Sequence, residues 1–111
     1  MDKQQFWQNE FGNKTIAQDF AGREIHKDAY GNNSKYSWDI DHIRPLSNGG
    51  TNTQDNMQIV HMQTNDEKGD TYPTFKIGKT MYQVKKRKNT HPSEWANGYD
   101  YSQKKYSIVK L

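Results

Sequence analysis

The sequence contains no cysteine. That excludes a disulfide framework, a thiolate zinc site and a cysteine nucleophile, and it suits a reducing compartment. Apolar residues are also scarce, at 31%, below the share usual in globular domains. The core must be small, which leaves room for a ligand or metal to add stability. No apolar run approaches the roughly 18 residues of a membrane helix. The opening Met1-Asp2-Lys3-Gln4-Gln5 carries no apolar signal segment, so a cytoplasmic location with no membrane partner is expected. There is no internal repeat and no low-complexity stretch. What remains is a chain of 111 residues, 13% aromatic and carrying a net charge of only +3. That composition reads as one folded domain over residues 1–111 rather than a disordered segment.

Sixteen Lys and Arg face thirteen Asp and Glu. This excess is compatible with nucleic acid without demanding it. Its distribution says more, because Lys85-Lys86-Arg87-Lys88 is a basic run with Lys104, Lys105 and Lys110 beyond it, whereas Asp39, Asp41, Asp55, Asp66, Glu67 and Asp70 lie upstream. By itself such a run is a solvated turn. It becomes a nucleic-acid contact if a phosphate-handling site lies nearby.

Local patterns divide the chain. Asp2 can cap a helix running to Phe11, with Trp7 and Phe11 on one face and Gly12 ending it. Ile16 to Ile25 reads as two short strands joined at Ala21-Gly22. Tyr36 to Ile43 alternates, giving a strand with Tyr36, Trp38 and Ile40 on an apolar face and Asp39 and Asp41 on an acidic one. Pro45 and the turn Asn48-Gly49-Gly50-Thr51-Asn52 open a loop that Asp55-Asn56 closes. Met57 to His61 is a second strand, and Gln63 to Lys68 a short helix ended by Gly69. Thr74 to Val84 reads as a hairpin turning at Gly78-Lys79, Pro92 starts one helical turn, and Ser102 to Leu111 fits helix or strand equally.

Residues 41–68 bring chemistry together. Asp41 and the Asn65 amide oxygen are hard ligands suited to Mg²⁺, with Mn²⁺ the alternative, and water and a substrate phosphate would complete the shell. Next to Asp41, His42 suits general-base work near neutral pH, since an imidazole titrates at about 6.5. It would take a proton from water attacking phosphorus. Asn65 and Lys68 share a helix face. Lys68 and Arg44 are candidates for phosphate contact, Arg44 equally for a solvated charge. Asn56 either fixes the loop or orients the imidazole. His61 either approaches the metal or packs at the strand end. His26 and His91 have no evident partner and read as surface residues, and Trp7, Trp38 and Trp95 as core or its edge.

The run Trp38-Asp-Ile-Asp-His-Ile-Arg-Pro-Leu-Ser-Asn-Gly-Gly-Thr-Asn, followed by Asp55-Asn-Met-Gln-Ile-Val-His and Thr64-Asn-Asp-Glu-Lys-Gly, resembles the HNH endonuclease family in both order and spacing. The likeness covers about residues 36–70. It implies an α+β fold built on a ββα-metal core, with short helices and a β-hairpin flanking it. It further implies His42 as general base, Asp41 and Asn65 as metal ligands and Asn56 as the residue holding loop and base. With Asn65 in the last place the chain would be an HNN variant. Many relatives carry Cys-x-x-Cys before that last residue; His61 and Thr64 stand there in this chain, so no structural zinc is expected and the aromatic flanks must support the fold.

The function implied is metal-dependent hydrolysis of DNA phosphodiester bonds, leaving 5′-phosphate and 3′-hydroxyl ends. Lys85, Lys86, Arg87 and Lys88 join Arg44 and Lys68 as nucleic-acid contacts. One alternative is a nucleic-acid-binding module that does not cut. Another is the cutting part of a restriction, phage or toxin system, with a larger nuclease assembly or an immunity protein as partner.

Overall fold

Asp2 opens helix α1 (Lys3–Phe11) in the computed structural model of the chain, which describes residues 2–111. Its carboxylate accepts from the Gln4 and Gln5 amides at 2.9 and 3.3 Å, and Gly12, at φ 64°, ends the helix. Strands β1 (Ile16–Gln18) and β2 (Glu24–His26) pair antiparallel. Buried Asp19 knots the turn between them, accepting from the Ala21 and Arg23 amides with one oxygen and from the His61 amide with the other. One carboxylate thereby ties this hairpin to the end of a strand forty residues away.

Strands β3 (Trp38–His42) and β4 (Met57–His61) form the central hairpin, with Trp38 opposite His61 and His42 opposite Met57. Helix α2 (Met62–Lys68) follows without a break, and Gly69 ends it at φ 52°. A three-stranded antiparallel sheet completes the fold in the order β5 (Thr74–Ile77), β6 (Thr80–Lys86), β7 (Tyr106–Lys110). The segment left open between helix and strand is therefore β7. Ser107, Ile108 and Val109 are buried in succession, so both faces of that strand are covered, which hides the alternation that marks a half-buried strand.

Two apolar clusters sandwich the central hairpin. Phe6 and Trp7 of α1 pack with Ile25, Trp38 and Ile59 on one side. On the other, Ile43 and Val60 join Phe20, Phe75, Tyr82 and Ile108. The Trp7 and Trp38 rings lie 5.2 Å apart, and each indole N–H donates to a backbone carbonyl, of Lys14 and Lys27 respectively. Full burial of each such ring contributes about 2–3 kcal/mol. The acidic face expected on β3 is consequently not a solvent face. Asp41 points into the second cluster, and only Asp39 stays half-exposed, bonded to the Ile40 amide.

Three further side chains have partners that the sequence does not reveal. Lys104 is buried against Glu10 at 2.6 Å, and Glu10 also accepts from the Tyr99 hydroxyl, so this lysine joins α1 to the C-terminal segment instead of adding to a basic surface. His26 stacks on Tyr36 at 3.8 Å and bonds Glu24, while His91 caps the turn Pro92–Glu94. No helix among the described residues is long and apolar enough to cross a membrane.

Candidate active site

Residues 43–56 cross from β3 to β4 as a loop held by one buried side chain. The Asn56 amide oxygen accepts from the Arg44 N–H at 3.0 Å, its amide nitrogen donates to the carbonyls of Arg44 and Thr51, and its own carbonyl accepts from the Ile43 N–H. Gly50 lies at the tightest point. A β-carbon there would stand 1.9 Å from the Arg44 carbonyl oxygen and 2.9 Å from the Asn56 amide nitrogen. Gly50→Ala is expected to push the loop off Asn56 and lower stability by about 1–3 kcal/mol, whereas Ser47→Ala in the same loop stays within about 0.5 kcal/mol of wild type. Urea denaturation of both checks this, and equal midpoints would show that the loop yields freely.

The loop carries a residue that touches the imidazole. His42 Nε2 lies 2.9 Å from Asn52 Oδ1. An amide oxygen can only accept, so Nε2 carries the proton and Nδ1 is left with a free lone pair. Asn56, expected to fix the loop or orient the base, does the first directly. Through Thr51 it also holds the segment that presents Asn52.

Asp41 leaves the opposite face of β3. Its Oδ2 accepts from Gln58 Nε2 at 3.0 Å and from Lys68 Nζ at 3.1 Å. Gln58 stands directly across the hairpin, and the Tyr101 hydroxyl donates to its Oε1. Burial pushes the Asp41 carboxyl above the ordinary carboxylate range, against the opposing pull of Lys68 and Gln58. The Lys68 ammonium is itself buried, donates to the His42 carbonyl at 3.0 Å and lies 5.5 Å from the Phe75 ring. It is committed to the interior, so the expected phosphate contact by Lys68 is not what the fold presents. Asp41 and His42 meet again at an open depression of about 310 Å³, which Ser47, Gly69 and Asp70 also border. A larger cavity of about 540 Å³ lies elsewhere, between α1, β1 and residues 97–100. It holds no imidazole, so convergent chemistry rather than size marks the candidate site.

A strand ending in Asp-His, a Gly-Gly loop locked by an asparagine, a returning strand and a short helix agree with one family. Residues 22–71 match the family model described as HNH endonuclease. Over that stretch the chain is similar to HNH endonucleases. No curated protein and no solved structure matches the chain. The match runs from the β1–β2 turn to just past α2 and takes in Asp41, His42, Asn52, Asn56, Asn65 and Lys68. It points to nuclease activity on nucleic acid, in a family that typically uses a divalent metal and acts on DNA. The fold agrees in class, being α+β with β3, β4 and α2 in ββα order.

The matched segment offers sparse but chemically suitable donors for such a metal. Among the described residues no three His, Cys, Asp or Glu side chains gather into a metal-holding cluster. Asp41 supplies a carboxylate whose Oδ1 has only a long 3.5 Å contact from Lys68, and Asp70 borders the same depression. Asn65, half-buried, stands one turn before Lys68 on the same face of α2. One carboxylate and one amide oxygen fit a hard cation whose other positions go to water and phosphate. His61 is engaged otherwise. Its Nδ1 accepts from the Gln63 amide and its Nε2–H donates to the Lys35 carbonyl at 2.6 Å, capping α2.

The cations of the matched segment and its flank are unequal. Arg44 spans the loop, donating from Nε to the Asn48 carbonyl, reaching the Tyr106 hydroxyl at 3.5 Å and lying 5.0 Å from the Tyr72 ring. The basic run is divided by strand alternation. Lys85 turns towards Glu94 and Trp95, whereas Lys86, Arg87 and Lys88 border a groove with Lys105 and Tyr106. Asn52, Gln58 and Tyr101 were absent from the sequence-based site. Antiparallel pairing puts Gln58 opposite Asp41, a register that the long loop over residues 43–56 leaves open in the sequence.

Proposed function

We propose that the chain hydrolyses DNA phosphodiester bonds with His42 Nδ1 as general base. The observation that carries this is the Asn52 bond to Nε2, which leaves Nδ1 unprotonated on an imidazole that borders the same depression as Asp41. In that role His42 takes a proton from the attacking water, and Asn52 keeps the ring turned so that the receiving nitrogen is the free one. Asp41 and Asn65 would hold a divalent ion, Mg²⁺ or Mn²⁺, in an HNN arrangement. When bound, the ion supplies stabilisation of the charge that develops on phosphate. Arg44, fixed by Asn48 and Tyr106, is placed for a neighbouring phosphate. The Tyr101–Gln58 pair keeps Asp41 from rotating.

The test is purified chain with supercoiled plasmid, in Mg²⁺ or Mn²⁺ and in a chelator. Nicked or linear product with metal and none in chelator is expected; intact plasmid under every metal overturns the proposal. Asn52→Ala should cut about 10–100-fold more slowly at unchanged plasmid affinity, the usual loss when the partner orienting a functional imidazole is removed. A loss of affinity with no loss of rate would mean that Asn52 binds DNA and does not set the ring.

One observation favours a second reading. The Lys68 ammonium already pairs with Asp41 at 3.1 Å, which suits a structural role for that carboxylate in a scaffold that binds nucleic acid without cutting. Such a module would bind with an affinity set by salt and indifferent to Mg²⁺.

A further inference from the structure

We propose that the groove between the end of β6 and the start of β7 is a phosphate subsite for a nucleic-acid strand that also reaches the His42 depression. The inference rests on the nucleic-acid substrate proposed above. The groove encloses about 360 Å³ and is walled by Lys86, Arg87 and Lys88 on one side and Lys104, Lys105 and Tyr106 on the other. Its walls are fixed by backbone, since Lys86 pairs with Tyr106 in the sheet and the Arg87 N–H donates to the Lys105 carbonyl at 3.0 Å.

No carboxylate lines it. Among the described residues Lys86, Arg87 and Lys88 form no ion pair, and Lys105 has only Asp55 at 3.8 Å. Lys104 also lines the groove, yet its ammonium is paired with Glu10 at 2.6 Å. The fold thus neutralises the lysine that serves structure and leaves four neighbouring cations largely unpaired, at the cost of their mutual repulsion. A bound anion offsets that cost. Arg87 adds a forked donor that suits phosphate oxygens.

Groove and depression lie on two sides of one loop. Lys105 Nζ is 3.2 Å from the Thr51 hydroxyl, next to Asn52, and Tyr106 meets Arg44. A strand with one phosphate at His42 can therefore continue past Arg44 to the groove, and a repeating phosphate backbone is the ligand class that fits two anion sites joined by a cation.

Fluorescence anisotropy of a labelled duplex, with the full chain in chelator, tests this across a salt series. Arg87→Ala/Lys88→Ala and, separately, Lys105→Ala are compared with Lys76→Ala/Lys79→Ala on the β5–β6 hairpin. The first pair should weaken binding about tenfold and reduce the slope of log affinity against log salt by about 1.8, the share of two phosphate contacts. Lys105→Ala should reduce the slope by about 0.9, and the control pair should change neither quantity. Equal effects from the control, or none from the groove variants, overturn the subsite and leave the cutting proposal standing. Groove-dependent binding by a chain that never cuts plasmid would sink the nuclease reading alone. Absence of any binding overturns both.

Discussion

His42→Ala is expected to slow DNA cleavage by about 10²–10⁴-fold, the usual contribution of a positioned general base, while leaving the fold intact. The side chain sits half-buried at the end of β3, and its ring has a single hydrogen bond, to a loop asparagine. Nothing in either apolar cluster depends on it. Single-turnover rates and circular dichroism on the same preparation separate the two effects. A variant that cuts normally removes His42 from the chemistry, whereas an unfolded one would show that the imidazole holds the loop.

Lys68→Met should lower stability by about 3–5 kcal/mol at neutral pH, because it leaves the Asp41 carboxylate buried without its counter-charge. The sign of the pH dependence follows. Burial already holds the folded Asp41 carboxyl above its ordinary value of 3.8, and losing Lys68 raises it further. A carboxyl whose folded pKa is raised favours the protonated folded state, so stability falls as pH rises from the unfolded value through the folded one. The damage should be small near pH 4, where Asp41 is largely neutral in the variant, and full by pH 8. Adding Asp41→Asn should recover most of it. Urea denaturation of single and double variants at both pH values measures this. Equal losses at pH 4 and pH 8 would mean that Lys68 acts by filling space beside Phe75 and not by its charge.

Much of this fold is legible where its cause is local. Asp2 and Gly12 bound α1 because a side-chain cap and a left-handed glycine act within a few residues. The span Met57–His61 agrees with its own pattern, as does the turn at Gly78. What escapes such reading depends on distant chain. Asp41 looks like one half of an acidic strand face until α2 and the second cluster close over it and bring up Lys68 from 27 residues away. Lys104 looks like part of a basic tail until Glu10, 94 residues earlier, is found beside it. In the site, the order Asp41, His42, Asn56, Asn65, Lys68 was legible as a motif. Which asparagine meets the imidazole was not, because Asn52 and Asn56 are four residues apart on a loop whose path depends on Gly50 packing against the Arg44 carbonyl.

The central claim is that His42 activates water for attack on phosphorus. Its most direct test is cleavage of an end-labelled DNA duplex by wild type and His42→Ala in Mg²⁺, with the product ends identified by whether they accept ligation and whether phosphatase blocks it. The account predicts 5′-phosphate and 3′-hydroxyl ends from wild type and almost no product from the variant. Ends carrying 3′-phosphate, or a variant that cuts at the wild-type rate, would contradict it.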